Sequence, residues 1–257
     1  MKLKKNYMLR CDLARVFHSW RIFAATFAGL LLMLWPVLEV LKYRIGYSPM
    51  QLLVEAVAGS DFTPFAAIFC VLPFADSFCD DLNSGYLNAI IGRIGSRCYA
   101  FKRCASVAIS GGLVTSFIML LTILVCVLSG MIPDTEETIM PLMNSIWGRM
   151  GIVLTANGAV MYTLRILTAF LFGELWALVG LTVSVCLPNR YVTLIAPFVI
   201  YQGLWYFLEE KAINPVYMFR GDSNFIPSLG FLIGYQLLCI AVCTAISAIG
   251  ITRRVKR

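Results

Sequence analysis

The chain has 257 residues, of which 60% are hydrophobic and 14% are charged, and its mean hydropathy is +0.80. Soluble domains are roughly 45–50% apolar and about 25% charged, so this composition excludes an ordinary water-soluble protein. The net charge of +7 does not indicate nucleic-acid binding, because the basic residues collect at the two ends of the chain and in one internal segment. Apolar runs of membrane-spanning length recur, which predicts one all-α, polytopic integral membrane protein.

The amino-terminal segment, residues 1–21, is predicted to form an amphipathic interfacial helix. Its apolar face carries Leu13, Phe17 and Trp20, and its opposite face is basic. A basic polar face beside a tryptophan suits the headgroup layer of a lipid bilayer. The alternative is a membrane-proximal extension of the first span.

Six apolar segments follow within residues 22–257 and predict a domain of six transmembrane helices. Pro36 and Pro73 lie inside two of these segments and predict kinks, which membrane helices tolerate because neighbouring groups satisfy the freed carbonyls. Three further apolar stretches are too short to span and predict interfacial or re-entrant helices, namely 50–57, 150–160 and 216–226. The predicted spans are 22–41, 63–78, 105–130, 163–187, 191–208 and 229–251.

The distribution of Lys and Arg predicts the orientation of these spans. With both ends of the chain in the cytoplasm, the inner side holds Arg190 and the basic residues of 2–21, 93–103 and 253–257. An excess of Lys and Arg in the inner segments is the signal that sets membrane topology. The chain is therefore predicted to be a multi-pass protein of the cell membrane with both termini cytoplasmic. The outer side holds Lys42, Arg44, Arg149, Lys211 and Arg220.

The predicted cytoplasmic segment between the second and third spans, residues 79–103, has the most informative pattern. Acidic residues close the incoming helix, Gly85 permits a turn, and the residues after it form an apolar stripe on a short helix. An apolar stripe in the cytoplasm needs a cover, either from the same chain or from a partner. The stripe consists of Tyr86, Leu87, Ile90, Ile91 and Ile94.

This segment resembles the coupling segment of the membrane permeases of type-2 ABC exporters. The similar features are the acidic helix end, the short helix after Gly85, the Ser-Arg pair at 96–97 and the basic start of the next span. A proline that often precedes the Ser-Arg pair in that family is replaced here by Ile-Gly at 94–95. The resemblance extends to the amino-terminal helix, the six-span order and the run 173–197.

The resemblance implies a transmembrane subunit that pairs with a second permease subunit, identical or homologous, and with two ABC ATPase subunits. ATP and Mg²⁺ are then expected on the ATPase, and no cofactor is expected on this chain. The sequence contains no Gly-x-x-x-x-Gly-Lys-Ser/Thr phosphate loop, so hydrolysis would come from that separate polypeptide. The residues implied to dock on the ATPase are Gly85, Tyr86, Leu87, Ile90, Ile94 and Arg97.

Glu174 lies near the middle of the fourth predicted span, where an unpaired charge costs at least ~2.5–3.5 kcal/mol. Lining a translocation path, pairing with a cation and being held neutral are functional explanations. A hydrogen bond to a neighbouring span or to a partner subunit is the structural one. Arg165 is too far along the same helix to pair with Glu174, and it is predicted to extend outward to the membrane surface.

No enzymatic role and no metal site are expected. The single histidine, His18, lies on the basic face of the first helix, and hydrolase and metalloprotease motifs are absent from the sequence. Cys239 and Cys243 share a helical face, but no histidine or further cysteine pair joins them, so packing explains them better than metal binding.

The sequence thus predicts a permease subunit of an ATP-driven exporter for an unidentified peptide, lipid, drug or ion. Homodimer and heterodimer are equally open. The alternative function is that of a non-transporting membrane immunity or sensor protein that binds a peptide or a lipid.

Overall fold

In the part of the chain that the structure, a computed structural model, describes, the regular elements are all helices, which confirms the all-α prediction. The described residues are 2–43, 46–60, 62–139, 146–147, 158–221 and 224–255. Most of the predicted short stretch 150–160 lies outside them. The principal helices are α1 (Lys2–His18), α2 (Trp20–Lys42), α3 (Pro49–Ala58), α4 (Phe62–Val71), α5 (Ser77–Asn83), α6 (Tyr86–Ile94), α7 (Ser96–Ser129), α8 (Glu136–Ile139), α9 (Gly158–Cys186), α10 (Arg190–Phe207), α11 (Pro215–Arg220) and α12 (Leu229–Arg254).

Four of these helices, α2, α7, α9 and α12, are long and apolar enough to cross a membrane. The helices α3 and α4 have ten residues each. They meet at an angle of 78°, the geometry of a broken span or a re-entrant loop. The helix α10, with 18 residues, is not among the four candidate spans. The four apolar helices indicate a multi-pass membrane protein, and the six-span arrangement stays a prediction.

The second predicted span, 63–78, is divided in the structure. Helix α4 ends at Val71, a turn occupies 72–76, and α5 begins at Ser77. Pro73 lies in this turn, so the helix ends before it, where a kink within one continuous helix was predicted. A proline has no backbone N–H to donate, and here it coincides with the end of a helix. Hydropathy alone does not detect such a break.

The helices α7 and α9 form the centre of the bundle, and their backbones lie close together at two glycines. A methyl group at Gly111 would lie 2.6 Å from the carbonyl oxygen of Gly173, so no larger residue fits this crossing. Beside it, Thr115 Oγ1 donates a hydrogen bond of 2.8 Å to the Ala169 carbonyl oxygen. Close backbone contact and interhelical hydrogen bonds are the usual means of packing helices in lipid.

The remaining long helices surround this pair. Helix α12 joins α9 through a 2.8 Å hydrogen bond between the Ser247 and Thr182 hydroxyls. Helix α2 packs on α7 at Gly29, where a methyl group would lie 2.5 Å from Ile118. The opposite side of α2 exposes a row of large apolar side chains, which suits contact with lipid chains. The row consists of Phe23, Phe27, Leu31, Trp35 and Leu38.

Candidate functional site

A buried group of charged side chains lies at one end of the bundle, and Arg103 of α7 is at its centre with no exposed surface. Its Nη2 donates a hydrogen bond to Asp81 of α5, and its Nη1 lies 3.5 Å from Asp12 Oδ2 of α1. Its Nε donates a 3.3 Å hydrogen bond to the Tyr99 hydroxyl, which in turn donates one of 2.7 Å to Asp81 Oδ2. We call Asp12, Asp81, Tyr99 and Arg103 the Arg103 cluster.

Together with Arg15, the Arg103 cluster holds two acidic and two basic side chains. Asp12 is 3% exposed and Asp81 4% exposed, so each carboxylate has given up most of its water. Ser106 Oγ donates a 3.2 Å hydrogen bond to Asp12, and Arg15 Nη1 lies 3.9 Å from Asp81. Two carboxylates therefore face two guanidinium groups. Buried ions are tolerated when they are paired in this way, and removing one partner leaves an uncompensated charge.

A second group of ions lies beside the first, around Asp76 in the turn between α4 and α5. Arg21 Nη1 of α2 is 2.9 Å and 3.2 Å from the two carboxylate oxygens of Asp76. Arg190 Nε, at the start of α10, is 2.9 Å from Asp76 Oδ2. The Asp76 carboxylate is almost fully buried, so these two pairs fix the starts of α2 and α10 to the turn.

Burial raises the pKa of one aspartate in each of these two groups of ions. It raises the pKa of Asp12 above the ordinary value, while Arg103 and the hydrogen bond from Ser106 act in the opposite direction. Burial likewise raises the pKa of Asp76, against the lowering effect of Arg21. Both carboxylates therefore take up a proton at a higher pH than an exposed aspartate does.

The predicted short helix is present as α6, and two glycines set its ends. Gly85 has φ of 72° and Gly95 has φ of 81°, in the region that favours glycine, and a side chain at either position would meet open space. The turn predicted at Gly85 is confirmed. The helix between them is held close to α5 and α7.

The apolar stripe of α6 is covered mainly by this chain itself. Leu87 is 4% exposed and belongs to the hydrophobic core, so it is not a surface residue, contrary to the prediction. Ile90, Ile91 and Ile94 are half-buried against the same core. The sequence left open whether the same chain or a partner covers the stripe, and in the structure the same chain covers Leu87 fully and the three isoleucines in part.

The remaining predicted docking residues are exposed. Tyr86 is 46% exposed, and the Arg15 guanidinium lies 5.5 Å from its ring centre. Arg97, at the start of α7, is exposed. The side of α6 that faces away from the bundle carries Asn88, Ala89 and Gly92, all exposed. This outer face has one amide side chain and two small residues, so it lacks the large apolar side chains of the predicted stripe.

Helix α1 runs beside this site, and the three residues predicted for the apolar, membrane-facing side, of which Trp20 is the first residue of α2, are not among its buried residues. Leu13 is half-buried, Phe17 is 47% exposed and Trp20 is 73% exposed. Asp12 and Val16 are the residues that face the bundle. The exposed aromatic side chains suit a lipid headgroup layer, but the interfacial position of α1 stays a prediction.

Glu174 lies apart from the Arg103 cluster, on α9 within the bundle. It is half-buried, and a methyl group at Gly112 of α7 would lie 3.0 Å from its Cγ. Among the described residues, its carboxylate has no hydrogen-bond or ion-pair partner. The hydrogen bond to a neighbouring span, one of the two structural explanations for Glu174, is therefore not seen among the described residues.

Arg165 does not extend outward, so that prediction is wrong. It is 3% exposed, and its guanidinium lies 4.7 Å from the ring centre of Trp147 and 5.7 Å from that of Phe219. Its Nη1 donates a 3.4 Å hydrogen bond to the Arg220 carbonyl oxygen. Aromatic rings and a carbonyl oxygen thus replace the water that a surface position would have provided.

Sequence reasoning missed the Arg103 cluster. It treated Arg103 as one basic residue of a cytoplasmic segment and gave Asp12 no role. A signal was available in three aspartates, at 76, 80 and 81, within a region otherwise rich in Lys and Arg. The spacing of Tyr99 and Arg103 also places both side chains on one helix face.

Comparisons with known proteins give no family for the chain. No protein-family model matches it, and no curated protein or solved structure is similar to it at a significant level.

All nine cysteines have free thiols. Within the described ranges, no group of three or more His, Cys, Asp and Glu side chains has the arrangement of a metal site.

Replacing Arg103 with Leu should destabilise the protein by about 3–5 kcal/mol, because two buried carboxylates lose their common partner. The measurement is the midpoint of thermal unfolding of the purified protein in detergent. Arg97→Leu is the matched control, since it removes an exposed arginine from the same helix. Equal midpoints for the two variants would show that the Arg103 cluster contributes nothing to stability.

Proposed function

We propose that this chain is the transmembrane permease subunit of an ATP-driven ABC exporter. The observation that carries the proposal is the attachment of α5 and α6 to the bundle. Asp81 of α5 is joined through Arg103 of α7 to Asp12 of α1, while the outer face of α6 stays exposed. A force applied to α6 by a partner is passed through buried contacts to α1 and α7.

The ATPase subunit is proposed to dock on the outer face of α6. Leu87 anchors the helix in the core, and the half-buried Ile90 and Ile94 keep it in register. Tyr86, Arg97 and the outer-face residues remain available to a partner. A side chain at Gly92 would meet nothing within 4 Å, so the partner can approach the α6 backbone closely there.

The energy source belongs to the partner in this proposal. ATP and Mg²⁺ bind on the ABC ATPase subunits, and this chain pairs with a second permease subunit, identical or homologous. The exposed apolar row on α2 supports lipid or a second permease as its neighbour, because water solvates such a surface poorly. The substrate class is a peptide, lipid, drug or ion.

The proposed topology has six spans, an interfacial α1 and both ends of the chain in the cytoplasm of a cell membrane. The basic residues supply the orientation, and the Arg103 cluster then lies at the inner surface. The bent pair α3–α4 and the 18-residue α10 supply the two spans beyond the four long apolar helices. Phe17 and Trp20, exposed beside the first span, suit the inner headgroup layer.

Gly92→Trp tests the docking of the ATPase. The substitution meets open space within the chain, so folding and membrane level should be normal, while a partner seated on α6 would be displaced. The tagged full-length protein is purified from membranes of its own host. Co-purifying polypeptides are identified by mass spectrometry, and vanadate-sensitive ATP hydrolysis is assayed. We expect the wild type to retain a polypeptide with a phosphate-loop motif and Gly92→Trp to lose most of it.

Gly234→Trp is the control for that experiment, because Gly234 on α12 also has nothing within 4 Å and lies away from α6. It should retain the ATPase. If the wild type carries no ATPase, or if Gly92→Trp retains it fully, docking on α6 is refuted. The non-transporting immunity or sensor function then becomes the better explanation.

Cysteine labelling tests the orientation. On a background with the other cysteines replaced, a membrane-impermeant maleimide should label Cys98 only in inside-out vesicles. An introduced Thr135→Cys should be labelled only in intact cells. Cys98 is half-exposed and Thr135 is exposed, so both are reachable by the reagent. The reversed pattern would invert the topology.

Glu174 is proposed to line the translocation path or the contact with the second permease subunit as an ionised group. Glu174→Gln keeps the shape and the hydrogen-bonding capacity but removes the charge, so substrate-stimulated ATP hydrolysis should fall. Glu174→Leu should show at least the same loss. Full activity of Glu174→Gln combined with inactivity of Glu174→Leu would assign a hydrogen-bonding role and contradict the ionised one.

A further inference from the structure

A groove of about 1150 Å³ lies between α1 and α6, and it shares Tyr86 with the surface proposed for ATPase docking. One wall is the side of α1 that bears Met8, Ala14 and Arg15. The other wall is the side of α6 that bears Tyr86, Ile90, Arg93 and Ile94. The groove is therefore separate from the outer face of α6, which is formed by Asn88, Ala89 and Gly92.

The charges on the groove are predominantly basic. Arg15, His18 and Arg93 line it and are exposed. Asp12 is the acidic residue among its lining residues, but its carboxylate already pairs with Arg103 and accepts a hydrogen bond from Ser106. Arg93 and the exposed Arg15, whose Nη1 also lies 3.9 Å from Asp81, thus present positive charge to an anion that enters the groove.

The walls below the basic side chains are apolar. Met8, Ile90 and Ile94 are half-buried along the groove, so each still presents apolar surface to an occupant. The Arg15 guanidinium lies 5.5 Å from the centre of the Tyr86 ring, which holds its position at the rim. A ligand that fits has an anionic group joined to a hydrocarbon chain.

The position of the groove favours lipid over a protein segment. Its α1 wall directly precedes the first candidate span, and Phe17 of α1 and Trp20, the first residue of that span, are 47% and 73% exposed. Aromatic residues at that place mark the boundary between headgroups and hydrocarbon. We propose that the groove between α1 and α6 binds an anionic phospholipid, with the phosphate between Arg15 and Arg93 and the first methylenes against Met8, Ile90 and Ile94. This site requires only membrane insertion of the chain and not the docking of an ATPase.

Native mass spectrometry of the purified full-length protein in detergent tests the site. The probes are dioleoylphosphatidylglycerol and dioleoylphosphatidylcholine, which have the same chains and differ in headgroup charge. The wild type should bind phosphatidylglycerol preferentially. The double variant Arg15→Gln/Arg93→Gln should bind it about thirtyfold more weakly, since each basic contact near a membrane surface contributes a few-fold to tenfold in affinity.

The control is Arg10→Gln/Arg253→Gln, which removes the same charge from two exposed positions outside the groove lining. It should keep the affinity of the wild type. If both double variants lose the same affinity for phosphatidylglycerol, the loss comes from the change in net charge, and the proposed site is wrong. Competition by inorganic phosphate at concentrations equal to those of the lipid would also overturn the site, because it would indicate a site for free anions.

Arg15 also lies 3.9 Å from Asp81, so replacing it changes the ion pairs around Arg103 as well as the groove. A second variant therefore leaves every charge in place. Ala14 is exposed and lines the groove, so Ala14→Trp fills the space without changing a charge. It should lose bound phosphatidylglycerol, whereas Ala89→Trp on the outer face of α6 should keep it. If Ala14→Trp keeps the lipid but loses a co-purifying protein, the groove receives a protein partner and the lipid proposal is wrong.

Discussion

The buried guanidinium of Arg103 is the constraint on which the rest of this end of the molecule depends. A fully buried cation must be paired, and its partners come from two other helices, through Asp12 and Asp81. These partners are far apart in the chain, so satisfying one guanidinium fixes α1, α5 and α7 together. The pairs that Asp76 makes with Arg21 and Arg190 extend the same restraint to α2 and α10.

This restraint explains why α6 has a defined place although it is short and lies at the end of the bundle. Gly85 and Gly95 free its ends from strain, and Leu87 fixes its inner face in the core. Helix α6 therefore has two distinct surfaces besides the buried one. One is the outer face of Asn88, Ala89 and Gly92, whose small residues leave room for close approach, and the other is the basic and apolar wall of the groove shared with α1.

The sequence was informative where a single local pattern decides the structure. Long apolar runs predicted the four long helices, and Gly85 followed by apolar spacing predicted α6. It failed where the outcome depends on contacts between distant segments. The pairing of Asp12 with Arg103 joins residues 91 positions apart, and the inward direction of Leu87 depends on α5 and α7 beneath it. The break at Pro73 was missed because hydropathy continues across it.

The coupling free energy between Arg103 and Asp81 tests the account most directly. It is obtained from unfolding of the wild type, Arg103→Met, Asp81→Leu and the double variant in the same detergent. If the buried pair holds α5 to α7, the double variant loses less stability than the sum of the losses of the two single variants. The coupling should be about 1–3 kcal/mol. Additive losses would mean that the buried pair does not hold α5 to α7, and would contradict the account.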